Sequence, residues 1–92
     1  MDIDDIIARL TQHTFSSAYH VTTFKCYRPR PKAPNLANLQ EVTVEIHDAG
    51  PQADPRFRYW CVACTADGKG VSGNPESSVV AALAVMHWDK LD

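Results

Sequence analysis

No apolar run in this sequence is long enough to cross a membrane. The longest, Val79 to Met86, spans eight residues, where a spanning helix needs roughly 18–20. The opening Met1-Asp2-Ile3-Asp4-Asp5 is acidic, unlike the positively charged start of a secretory or transit leader. A cytoplasmic protein without a membrane partner is therefore expected. Cysteine is scarce and odd in number, with only Cys26, Cys61 and Cys64, so reduced thiols are expected in place of a disulfide framework. A surplus of positive charge is also missing. Nine Lys and Arg face eleven Asp and Glu, a formal charge of −2, whereas chains that hold nucleic acid mainly through phosphate charge are usually basic. The four histidines, His13, His20, His47 and His87, fall in no H-E-x-x-H pattern. No Ser-His-Asp arrangement, pair of catalytic carboxylates or phosphate-cradling loop can be assembled, because Gly68, Gly70 and Gly73 fall in hairpin context. A single layer of sheet and helix seldom encloses a deep pocket. No enzymatic activity, cofactor or metal is expected.

What is present is the make-up of one globular domain over residues 1–92, with 45% hydrophobic and 22% charged residues, close to the average for folded chains. Ile3, Ile6, Ile7 and Leu10 recur at the spacing of one helix face, predicting a helix over 2–13. Asp2 can cap its start, and Asp4 and Asp5 suit the positive end of the helix dipole. A strand is expected over 18–27, where His20, Thr22, Phe24 and Cys26 alternate with Tyr19, Val21, Thr23 and Lys25. Pro29, Pro31 and Pro34 make 28–39 a basic, proline-rich loop. The next strand, 41–47, places Val42, Val44 and Ile46 on one face. A third, over 56–66, sets Phe57, Tyr59, Cys61 and Ala63 against Arg58, Trp60, Val62 and Cys64. Asp67-Gly68 signals a hairpin into a short strand over 69–73. Asn74 and Pro75 then read as the cap and first position of a helix over 75–90. Because Val79 to Met86 is apolar all round, that helix requires cover from the sheet, from the first helix or from a partner chain. The expected fold is α+β: an antiparallel sheet of three or four strands with N- and C-terminal helices packed on one face.

From Val42 onward the order is strand, loop, strand, hairpin, short strand, helix. Gly50-Pro51, then Pro55-Arg56-Phe57, then Asp67-Gly68-Lys69, Gly73 and the alanine-rich Ala81-Ala82-Leu83-Ala84 before Trp88 and Leu91 follow a shared register. Over 42–92 this resembles the double-stranded RNA-binding domain (dsRBD) family. The resemblance implies a dsRBD-like fold, with the helix at 2–13 in the family's first-helix position and an inserted strand, or else a different architecture. It also implies three RNA contacts: a first helix, a loop, and lysines opening the last helix that grip phosphates. Here the loop position where the family usually carries histidine is Ala53, and the helix opening is Glu76-Ser77-Ser78-Val79-Val80. The cations that counterion release would need are missing. Degenerate members of the family serve protein contacts and self-association, and that use is what the resemblance implies.

Three groups of residues are candidate sites. Cys61-Val62-Ala63-Cys64 has the spacing of half a zinc site, but a second pair would have to come from Cys26 and a histidine such as His20, His47 or His87. Residues three apart on a strand point to opposite faces, so structural cysteines are the favoured reading. Lys25, Arg28, Arg30 and Lys32, with Arg56 and Arg58, form a candidate nucleic-acid surface; solvated charges guarding an edge strand are the alternative. Trp60 and Val62, opposite Phe57, Tyr59 and Cys61, would centre a protein interface on the open face of the sheet, unless the N-terminal segment folds over them. The expected partner is an unknown protein or a second copy of the chain, with double-stranded RNA as the alternative.

Overall fold

The computed structural model describes residues 2–13, 15–30 and 39–92. It is an α+β fold built from α1 (Ile3–His13), β1 (His20–Arg28), β2 (Gln40–Asp48), β3 (Tyr59–Thr65), β4 (Gly70–Ser72) and α2 (Val79–Ala84), with 3-10 turns at Pro55–Phe57 and Trp88–Leu91. The four strands form one antiparallel sheet in the order β1-β2-β3-β4. No helix among the described residues is long and apolar enough to cross a membrane.

Alternation along the strands divides the sheet into two unlike faces. Val44 pairs with Ala63, and Ile46 with Cys61, so the apolar positions of β2 and β3 share one face. Val42, Val44, Cys61 and Ala63 are buried there with Met86 and Leu91, and Ile46 and Val71 pack against them. The opposite face carries Thr43, Glu45, His47, Trp60, Val62 and Cys64. Asp67-Gly68 closes the β3–β4 hairpin, Gly68 taking a φ of +94° as three-residue hairpin loops require. The buried Thr65 hydroxyl donates to the Asp67 carboxylate, and that bond holds the Asp67 carboxyl below the usual carboxylate range.

Three expectations are corrected. The third strand begins at Tyr59, not residue 56, because Asp54 Oδ1 accepts the Arg56 N–H at 3.0 Å and caps the 3-10 turn. Phe57 consequently leaves the strand and lies exposed beneath the Arg56 guanidinium. The last helix begins at Val79, not at Pro75. Glu76 is drawn into extended pairing with Tyr59 through bonds of 2.7 and 3.0 Å, and Ser78 becomes the cap, its hydroxyl accepting the Ala81 N–H. The helix also ends at Ala84. The chain then turns at Met86 and His87 so that Leu91, on the terminal 3-10 turn, reaches the core at 2% exposure. Of α2 only Ala82 is buried, and Val80 is among the most exposed hydrophobic side chains.

The third correction concerns α1. It does not share the sheet face with α2; its contacts run to the β2–β3 loop, at the end of the sheet. Ile7, 3% exposed, lies against Gly50. Gly50 has a φ of +92°, and a side-chain carbon there would stand 3.0 Å from Ile7 Cγ2, so conformation and space both favour glycine.

Candidate interaction surface

The described cations do not converge. Arg28, at the Gln40 end of the sheet, donates to Gln40 Oε1 at 2.8 Å, Asp92 Oδ1 at 3.0 Å and the Leu91 carbonyl at 3.3 Å, pinning the C-terminal turn to β1. Arg58, at the Asp48 end, donates to both Asp48 oxygens at 2.6 and 3.0 Å and to Asp4 Oδ1 at 2.7 Å. Its hydrogen bonds to Asp48 hold the guanidinium well above its usual range and lower the Asp48 carboxyl below the usual carboxylate value. These two ends are about 25–30 Å apart along a nine-residue strand. Arg56 is exposed and bidentate to Asp54, while Lys25 sits 3.7 Å from Glu41 on the face away from the core. Arg30 borders a polar recess with Gln40, Glu41 and Asp67. Lys32 lies outside the described residues. Four of these five cations therefore have a carboxylate partner within the chain.

Trp60 and Val62 do lie on the face opposite α2, but the indole is already engaged. The His47 ring stacks on it with centroids 5.1 Å apart and planes 17° apart, and the Tyr19 ring lies 5.8 Å away. His47 Nε2 is 3.2 Å from Glu45 Oε1, while its buried Nδ1 has no partner among the described residues. Val62 is flanked across the strands by Glu45 and Ser72. Cys61 and Cys64 point to opposite faces, Cys61 buried and Cys64 exposed. Burial pushes the Cys61 thiol up, away from the reactive thiolate form. Among the described residues no three His, Cys, Asp or Glu side chains gather as a metal ion would need.

An apolar trough lies on the other side of the sheet. Because α2 has only six residues and lies mainly against β3, no helix among the described residues covers the inner face of β1. A groove of about 370 Å³ remains between Phe24 and Cys26 of β1, Val44 and Ile46 of β2, and Val79, Leu83 and Trp88. It continues past Cys26, Val44 and Trp88 into a second recess of about 290 Å³ that ends at Arg28 and Leu91. Phe24, at 50% exposure, forms the outer wall. Sequence reasoning did not assemble this trough. The available signal was the all-round apolarity of Val79 to Met86, which exceeds what one side of the sheet covers. No protein-family model, curated protein or solved structure matches the chain.

Proposed function

We propose that this chain is a small non-enzymatic protein-interaction domain that self-associates, with a layout similar to a dsRBD that lacks the phosphate-gripping lysines. The order of β2, β3, β4 and α2 over 42–92 supports the dsRBD-like reading, with β1 as an added edge strand. The observation that carries the interaction reading is the all-apolar groove beside α2, since contiguous exposed apolar surface marks contact sites. The other face is a weaker candidate, its tryptophan being stacked on His47 and its Val62 bordered by polar side chains. RNA binding is disfavoured because the five described candidate cations are spread over both ends and both faces of the sheet, and four of them are paired with carboxylates. Neutralising phosphates would first require breaking those pairs.

Two measurements on one preparation test this. Light scattering should give a mass that rises with concentration from 10.2 kDa toward twice that value. A mobility-shift assay with duplex RNA at low salt should show no complex at tens of micromolar protein, within the range of ordinary non-specific binding, roughly 1–100 µM. A strict monomer at several hundred micromolar (roughly ten-fold beyond that range), or a salt-sensitive RNA complex, would reject the proposal.

A further inference from the structure

We infer that β1 pairs along its outer edge with β1 of a second copy, antiparallel about a two-fold axis at Phe24, so that two four-stranded sheets join into one. This rests on the self-association reading and adds the element and the register that carry it.

The sheet has two edges, and they are guarded unequally. β4 is only three residues long, and Gly73 and Pro75 follow it, which limits what it can template. β1 has nine residues, where strands usually run to about five or six. No proline falls within it, and its nine pairs with β2 run without a bulge. Among the described residues no backbone hydrogen bond joins β1 to anything but β2. Alternate N–H and C=O groups therefore face outward, and the group that completes such a row is another strand. Charge guards this edge little. Lys25 Nζ turns back onto β2, 3.0 Å from Thr43 Oγ1 and 3.7 Å from Glu41, and Arg28 is held by Gln40 and Asp92. What remains for a partner is mostly uncharged, including Phe24 at 50% and Tyr27 at 61% exposure.

The strand is complementary to itself. Opposed side chains must share a face, so the axis passes through a residue and not between two. Phe24 is the midpoint of His20–Arg28, and centring there keeps all nine residues paired. Centring on Lys25 would set two ammonium groups directly opposite, which is destabilising. With the axis at Phe24 the two phenyl rings meet, and Thr22 faces the partner's Cys26. On the other face Val21 meets the partner's Tyr27, and Thr23 meets the partner's Lys25. Aromatic and β-branched side chains are favoured in such cross-strand pairs. Arg28, already drawn onto its own chain, stands opposite the partner's His20. Phe24 also walls the apolar groove, so the grooves of the two copies adjoin across the axis. Each copy has one long edge, so the pairing closes at two chains and leaves only the short β4 edges outside.

Cys26 makes the register testable. Thr22 and Cys26 of one chain lie about 13 Å apart along the strand, beyond the roughly 7 Å limit for a disulfide. Across the axis their Cα atoms would stand about 4.5–5.5 Å apart. A Thr22→Cys variant, with Cys64→Ser removing the exposed thiol of the other face, is incubated with oxidised glutathione and run on a non-reducing gel. The expected result is a covalent dimer at least ten-fold above that of Cys64→Ser alone, and above that of Thr23→Cys with Cys64→Ser, whose new thiol points to the other face. It should be lost on adding Cys26→Ser. In the unmodified protein, the outward amides of 20–28 should exchange at least ten-fold more slowly at dimer-forming concentration, while those of 70–72 stay unchanged. A protein that is dimeric by light scattering, yet whose 20–28 amides exchange as in the monomer, overturns the inference and leaves self-association standing. Cross-linking of Cys64→Ser through Cys26 alone overturns it too, since the axis would then lie at Cys26. A protein that stays monomeric rejects the inference together with the function on which it rests.

Discussion

Replacing Leu91 with alanine is expected to cost about 2–5 kcal/mol of folding stability, the range for emptying a buried aliphatic site. Leu91 is 2% exposed and joins Val42, Val44, Cys61, Ala63 and Met86 in the core. Arg28 holds its turn in place, bonding both the Leu91 carbonyl and Asp92. For a domain of ordinary stability, about 5–15 kcal/mol, the loss is a large fraction. Val80→Ala serves as the contrast: the side chain is 78% exposed, and its loss should stay within about 0.5 kcal/mol. Urea denaturation followed by tryptophan fluorescence measures both. A Leu91→Ala cost below about 1 kcal/mol would mean that the terminal turn is not docked. Because Trp88 on the same turn walls the groove, the variant should also dissociate more readily.

Arg58→Met should also be costly, by about 1–3 kcal/mol at pH 7, below the range for breaking a fully buried pair because this one is half-buried. The Arg58 and Asp48 side chains are 20% and 16% exposed. The methionine leaves the Asp48 carboxylate with only the Gly50 N–H, at 2.9 Å, and frees Asp4 from its tether. The pH dependence has a definite sign. In the folded state Asp48 is held below its usual value, chiefly by the Arg58 hydrogen bond, so the unfolded chain takes up its proton first as pH falls. The pair's contribution is therefore complete above about pH 4, near the unfolded carboxyl value, and is lost as pH drops through the folded value. Asp54, lowered by Arg56, and Asp67, lowered by Thr65, act in the same direction. Thermal unfolding between pH 7 and 2 should show the wild-type advantage over Arg58→Met closing below pH 4. A constant gap across that range would show that Asp48 is not the group responsible.

These side chains also show what could be read from sequence and what could not. Alternation grouped Val42, Val44 and Ile46 on one side of their strand and set Cys61 and Ala63 opposite Trp60 and Val62 on theirs, because a two-residue period leaves no freedom once one face is buried; the strand register then brought the two apolar sets together. Helical spacing found Ile3, Ile6, Ile7 and Leu10, but it could not say that only Ile7 would be covered. That depended on where the Gly50 loop lands, which is a tertiary fact. The last helix was misplaced because Asn74-Pro75 and Ser77-Ser78 are both adequate starts, and the choice fell to strand pairing between Glu76 and Tyr59. Arg56 and Arg58 looked like companions in one basic patch. Asp54 and Asp48, two and ten residues away, take them for local structure instead. The groove depends on α2 being short, and the pairing at Glu76 delays its start to Val79.

The contact surface proposed for this chain is the apolar trough on the helix-bearing side of the sheet. Sedimentation velocity on three full-length proteins tests it most directly: the wild type, Phe24→Asp in the groove wall, and Val62→Asp on the other face. Phe24→Asp should weaken dimerisation at least 100-fold, about 2.7 kcal/mol and typical of a central contact residue, while Val62→Asp leaves it near wild type. Dimers that survive Phe24→Asp but dissociate with Val62→Asp would contradict the account and move the interface to the Trp60 face.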